Sequence, residues 1–294
     1  MAIPKSFLLA ILGCICLCSS TVMSARELAD AAMVERHEQW MVKFNRVYKD
    51  NAEKVRWFEV FKANVAFIES FNARNHKFWL GVNQFTDLTN DEFKATKTNK
   101  GLKRTSSRAP TRFKYNNVST DALPTAVDWR TKGAITPIKD QGQCDGQAFK
   151  FIIKIGSLTS EANYPYTAQD GQCKTSIASN NVATIKGYED VPANDESSLM
   201  KAVANQPVSV AVDGGDAIFQ HYSGGAMTGS CGTDLDHGIA AIGYGMTSDG
   251  TKYWLLKNSW GTTWGESGYL RMEKDISDKS GMCGLAMQPS YPTE

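Results

Sequence analysis

Hydrophobic positions recur at helical spacing in two stretches near the start of this 294-residue chain. In the first, Met33, Trp40, Met41, Phe44 and Val47 share one face of a 3.6-residue period. In the second, Phe58, Phe61, Val65 and Ile68 form an apolar stripe, with Glu53, Arg56, Glu59 and Lys62 on the polar side. Phe78 to Phe85 reads as strand. Thr89 or Asn90 then caps a short helix with Asp91 and Glu92 in its first turn, where carboxylates meet unpaired N–H groups. Over 100–122 the period is lost in Lys, Arg, Ser, Thr, Pro and Asn, which predicts a linker.

Past the linker the pattern is mixed. Ala148 to Ile155 reads as a short apolar helix ending near Gly156, and Asn194 or Asp195 caps another over Glu196 to Asn205. The β-branched run Val208 to Val212 predicts a buried strand. Further strands cover Ile239 to Tyr244, Tyr253 to Leu256 and Tyr269 to Met272, so the last third is mostly antiparallel β and the fold class α+β. The segment from Met246 to Gly250 is rich in turn residues; a hairpin folded about Thr247 and Ser248 sets residue 237 opposite residue 258. Directly opposed residues have Cβ atoms about 4.5 to 5.5 Å apart, so this hairpin brings His237 and Asn258 together.

Composition narrows the classes. An apolar share of 42% is that of a globular chain, and a net charge of +1 offers no field for nucleic acid or an acidic membrane. Residues 1–24 read as a signal peptide: Lys5 is the positive start, Phe7 to Cys18 the apolar run, and Val22 with Ser24, or Met23 with Ala25, flank the cleavage point. That run falls short of the roughly 18 apolar residues a membrane span needs. The expected place is therefore the secretory pathway, ending in a vacuole- or lysosome-like compartment or outside the cell. Cys14, Cys16 and Cys18 leave with the signal, while Cys144, Cys173, Cys231 and Cys283 remain to pair in an oxidising compartment. No two cysteines have Cys-x-x-Cys spacing, so no metal and no cofactor is expected. Asn117-Val118-Ser119 is a glycosylation sequon.

Several blocks then point to one family. Leu123-Pro124, Val127-Asp128-Trp129-Arg130, Gln141-Gly142 with Cys144, Asp236-His237-Gly238 and Asn258-Ser259-Trp260-Gly261 stand in one order. Together they resemble the papain-like cysteine proteases, most closely plant vacuolar or senescence-associated members. Upstream, Glu53, Phe61, Asn64, Ile68 and Asn72 resemble the spaced helix motif of that family's inhibitory propeptide. Gly81, Asn83, Phe85 and Asp87 resemble its second motif. Trp57 departs from the pattern, standing where such propeptides carry Arg. The resemblance implies a signal peptide over 1–24, a helical inhibitory propeptide over 25–99, the linker, and a two-lobed peptidase domain over 123–294.

In such a site a thiolate attacks the amide, and a neighbouring imidazolium lowers its pKa. The resemblance gives His237 the role of base, Asn258 that of orienter, Gln141 that of side-chain oxyanion donor and Trp260 that of a shield over the His–Asn bond, with Trp264 beside it. It also implies a Cys231–Cys283 disulfide. The nucleophile is missing. In the family a second cysteine stands three residues after the first; here Gln147 stands three residues after Cys144, and a carboxamide forms no thiolate. His237 lies 90 positions beyond Gln147, against about 130 or more in the family, so roughly 40 residues are absent. The α-rich lobe is therefore expected to be truncated and the antiparallel β-rich lobe retained. Cys144 and Cys173 lose their expected partners; pairing with each other and a free thiol both stay open. For Cys144 to act it would have to shift by three residues, and a misplacement of 1 Å already costs about a hundredfold.

Expected, then, is a cysteine endopeptidase zymogen by descent, monomeric, with protein or peptide substrates, no nucleic acid and no membrane, and inactive or severely impaired as it stands. The alternative is a non-catalytic pseudoprotease whose propeptide binds and inhibits related cysteine proteases.

Overall fold

The two helical stripes form α1 over 27–43 and α2 over Asn51–Asn72. The computed structural model describes residues 27–98, 113–140, 148–167, 172, 174, 176 and 182–294. The signal-like stretch 1–24, linker residues 100–112, Gln141, Cys144, Gln147 and Cys173 lie outside the described residues.

The chain divides into two units at Ala66. In the first, Trp40 and Phe61 are buried beside His37, whose Nε2 lies 3.2 Å from the Tyr48 hydroxyl. Val47 corrects the expected stripe: α1 stops at 43, Asn45 turns the chain in left-handed backbone (φ 49), and Val47 is 82% exposed. His37 takes the inward place on α1 instead. At the head of α2, Asp50 Oδ1 accepts from the Glu53 N–H (2.9 Å) and Glu53 Oε2 from the Lys49 N–H (2.5 Å). These bonds satisfy two donors at the helix start.

The second unit begins at Phe67. The end of α2 buries Ile68 and Phe71, and Asn72 grips the Leu80 main chain twice, donating to its carbonyl (2.8 Å) and accepting from its N–H (2.9 Å). That grip holds β1, Phe78–Leu80, which is shorter than the sequence suggests. From Gly81 the chain turns, because the Thr86 hydroxyl accepts from the Asn83 N–H and donates to the Asn83 carbonyl, and the Asn83 carboxamide oxygen accepts from the Phe85 N–H. Helix α3, Asn90–Lys97, starts at the cap Thr89 with a reciprocal Glu92.

One nine-stranded sheet organises the rest, in the order β1-β5-β8-β7-β6-β4-β9-β3 with β2 paired to β6. Its strands are β2 Val127–Asp128, β3 Gly187–Asp190, β4 Val208–Val212, β5 Tyr222–Met227, β6 His237–Met246, β7 Lys252–Lys257, β8 Tyr269–Glu273 and β9 Ser290–Thr293. Every pairing is antiparallel except β5 with β8. Alternation along β4 sends Val208, Val210 and Val212 inward and Ser209 out. Against the core lie Leu199, Ala202 and Val203 of the helix Glu196–Asn205, which is capped by Asp195.

The buried core is unevenly spread along the described residues. Among the described residues its buried members run from Ile68 to Val127 and resume at Val191. Among the described residues of 131–190, Ile152 is the one buried apolar side chain. Helix α4, Ala148–Ile155, ends as the sequence predicts at Gly156, in left-handed backbone (φ 85). Its Phe149 ring stacks on Tyr188 of β3 at the sheet edge (6.0 Å). Ile153, Ile155 and Leu158 stay 38 to 42% exposed.

Candidate active site

His237 opens β6, paired with Val212 of β4, and Asn258 follows the end of β7 with its N–H bonded to the Gly268 carbonyl (3.0 Å). Both side chains are buried, 0% and 2% exposed, and His237 Nε2 lies 2.8 Å from Asn258 Oδ1. The Ser259 N–H donates to the same Oδ1 (2.7 Å), which fixes the carboxamide with its oxygen toward the imidazole. Nε2 therefore donates, and Nδ1 is the basic nitrogen of the ring.

The two residues meet in a different register from the one read in the sequence. The ladder pairs Ala240 with Lys257 and, past a bulge, Gly243 with Leu255. Continued to residue 237, it reaches Trp260, not Asn258. The turn explains the shift: the Thr247 N–H bonds the Thr251 carbonyl (2.9 Å) and Gly250 takes φ 85, so the hairpin centres on Asp249. Asn258 reaches the imidazole diagonally, and Trp260 takes the stacking place.

Trp260 covers the pair, its ring 4.4 Å from the imidazole and inclined by 23°. Phe93, Trp264, Phe219 and Phe85 meet it edge-on at 5.2, 5.2, 5.6 and 6.0 Å. Trp264 donates its Nε1–H to the Phe219 carbonyl (3.0 Å). Such a wall excludes water and strengthens the His–Asn bond.

The motifs that resemble a propeptide meet this wall. Gln84 donates to the Trp260 carbonyl (2.7 Å) and accepts from the Thr263 hydroxyl (2.7 Å). Asn83 donates to the Gln220 carbonyl (2.8 Å), and the Gln220 carboxamide donates to the carbonyls of Phe85 and Leu88 (both 3.0 Å). Asn90 reaches the Gly215 carbonyl (2.9 Å). Sequence reasoning missed both glutamines. Gln84 sits at an unspecified position of the second motif, and Gln220 carries no signal at all.

Asp140 bridges Trp260, and the Gly261 N–H bonds the Lys139 carbonyl (3.1 Å). These contacts bring the chain just before Gln141 to the rim of the site, while Gln141, Cys144 and Gln147 themselves lie outside the described residues. Three donors on this wall, Asn258 Nδ2, Ser259 Oγ and Trp260 Nε1, are buried with no hydrogen-bond partner among the described residues. Burial holds the Asp236 carboxyl above the usual carboxylate range, although its Oδ1 accepts from the Gly214 N–H (2.8 Å). His221, 0% exposed with neither ring nitrogen partnered among the described residues, is pushed down to about 4 by burial. Cys231 and Cys283 form the expected disulfide. Among the described residues no group of three or more His, Cys, Asp or Glu side chains is arranged to hold a metal.

Comparison with known proteins places this geometry. Residues 145–293 match the papain family cysteine protease description, and residues 37–93 match the cathepsin propeptide inhibitor domain (I29). A senescence-specific cysteine protease (SAG39) of Oryza sativa subsp. indica is 64% identical, with 100% of both chains covered. That alignment runs over 341 positions against the 294 residues here, so 47 of its positions have no residue of this chain. A senescence-specific cysteine protease (SAG12) of Arabidopsis thaliana is 45% identical over 94% of each chain. Among solved structures, a recombinant stem bromelain precursor superposes with a TM-score of 0.81 at 42% identity, covering 89% of this chain and 99% of that one. The proform of the ragweed pollen allergen Amb a 11 gives 0.80 at 32%, covering 89% and 94%.

Proposed function

This chain belongs to the papain family of cysteine proteases, which act on protein or peptide substrates, and from that premise we propose a zymogen that keeps its base, orienter and propeptide but has lost its nucleophile. His237 is the base, Asn258 its orienter, Trp260 its shield, and Gln141 the oxyanion donor. No cysteine stands three residues beyond Cys144, where Gln147 is found. Acyl transfer therefore lacks its attacking atom, and activity falls on the order of a millionfold, as nucleophile knockouts in serine enzymes do.

The observation that carries this reading is the wall of Asn258, Ser259 and Trp260, whose buried donors have no acceptor among the described residues. Such orphans are rare in intact sites, each costing about 1 to 3 kcal/mol. They fit a site from which a neighbouring segment has gone, and the 47 unmatched alignment positions support the same loss. The signal-like residues 1–24 support export through the secretory pathway.

The test is turnover of a fluorogenic peptide by the acid-treated chain. We expect none above buffer, and no change on thiol alkylation. Alkylator-sensitive turnover would overturn the proposal and return Cys144 as nucleophile. Sequencing the transcript across the codons for Cys144 and Asp145 separates a real deletion from an omitted exon.

A second reading rests on the docked propeptide. Gln84, Asn83 and Asn90 bond mainly to main-chain carbonyls, groups whose presence does not depend on the side chain at that position. The same segment can therefore inhibit an active relative in trans. Titration of such a relative with this chain separates the readings: stoichiometric inhibition without turnover supports the second, and none removes it.

A further inference from the structure

The sequence holds one Asn-x-Ser/Thr triplet, Asn117-Val118-Ser119, and the functional reading leaves it unused. The fold presents it in a specific way. Phe113 and Tyr115 are buried just upstream, in contact with each other and, through Tyr115, with Tyr291 of β9 (5.7 Å). The Asn116 and Val118 N–H groups close turns onto the carbonyls of Phe113 and Tyr115 (3.0 and 3.1 Å), and Lys201 donates to the Asn116 carbonyl (3.3 Å). Val118 packs against the core, while Asn117 and Ser119 on either side of it are exposed. Among the described residues the Asn117 carboxamide has no hydrogen-bond partner, and the Ser119 hydroxyl caps the short turn Thr120–Ala122. The carboxamide thus stands in water on an anchored turn, where a bulky polar group displaces nothing.

We propose that Asn117 carries an N-linked glycan. This rests on the secretory reading above, since the transferring enzyme works inside that pathway. The co-reactant is an oligosaccharide linked to a lipid diphosphate. The Asn117 Nδ2 attacks the anomeric carbon of its first sugar, forming the C–N bond as the bond from that carbon to the diphosphate oxygen breaks. The lipid diphosphate leaves with the electron pair, and the carboxamide gives up one proton. Ser119 supplies the hydroxyl two residues on that the acceptor triplet requires.

The position gives the glycan a diagnostic use. Asn117 lies between the 99–112 stretch and Leu123, where the resemblance puts the start of a mature enzyme. A cut within 99–112 leaves the glycan on the C-terminal product, and a cut at Leu123 removes it with the propeptide.

The test is translation of the full chain with endoplasmic-reticulum vesicles, reading protection from added protease and the mobility step removed by an endoglycosidase. One step is expected in the protected chain. It is lost in Asn117→Gln and in Ser119→Ala and kept in Ser119→Thr, and none of these depends on prior folding. A protected chain without the step, or a step that survives Asn117→Gln, overturns the glycan alone. A chain left outside the vesicles overturns the secretory reading and the glycan with it.

Discussion

The Gln84 carboxamide and the Trp260 main-chain carbonyl are joined at 2.7 Å, which ties the propeptide to the residue stacked on the imidazole. Thr263 bonds the other end of the same carboxamide, so both of its polar atoms are held. Gln84→Ala would lose two hydrogen bonds worth about 1 kcal/mol each. The expected result is faster hydrogen exchange at the Gly81 amide, which bonds the His221 carbonyl, by roughly ten- to thirtyfold at that energy. Unchanged exchange would mean that Gln84 does not hold the propeptide.

Acidification should weaken the fold through His221. Burial alone lowers its pKa, from 6.5 to about 4, and no charged group acts on the ring. Its packed neighbours are Phe67 on α2, whose ring centroid is 6.4 Å away, and Gly81 after β1. The titratable groups of the adjoining segments are Glu69, His76, Lys77, Asp87, Asp216 and Glu266. Above pH 6.5 the ring is neutral in both states and carries no penalty. As pH falls toward 4, the unfolded chain takes up a proton that the folded one refuses, and stability drops. Below that the loss is complete, at about 3 kcal/mol. Urea midpoints at pH 7 and pH 4 should diverge in the native chain and converge in part in His221→Phe; an equal acid loss in both would remove His221 as the cause.

The Cys231–Cys283 disulfide closes a separation of 52 residues around β6, β7 and β8. In the chain-entropy account a loop of this size is worth about 4 kcal/mol. Cys231→Ser, or reduction before heating, should lower the melting temperature by several degrees. A shift of less than one degree would contradict that account.

Limited proteolysis should cut 131–186 before any part of β4 to β9. Among the described residues there, only Ile152 is a buried apolar side chain and none between Val127 and Val191 belongs to the main core. Local opening is cheapest where buried apolar contact is least. Mass spectrometry of the first fragments checks the order; first cuts within β6 or β7 would contradict it.

Much of the fold was legible where local patterning and burial agree. The stripe from Phe61 to Ile68 gave α2, Asp195 capped its helix, and Val208 to Val212 alternated into the core. Other elements had no such signal. Strand β5 runs through Ser223-Gly224-Gly225, and β9 contains Pro292. Both form because a neighbouring strand supplies the pairing that their own residues do not request.

By itself, the sequence determined the chemistry on offer: an imidazole, a carboxamide, a tryptophan and no thiol three residues past Cys144. Residue types at fixed spacing are a local property, the same in any fold. Tertiary structure alone decided how His237 meets Asn258, because the Thr247–Thr251 turn and the bulge after Ala241 reset the ladder. It also decided that Gln84 and Gln220 latch the propeptide over Trp260. Those contacts join residues more than a hundred positions apart, and no short-range pattern encodes them.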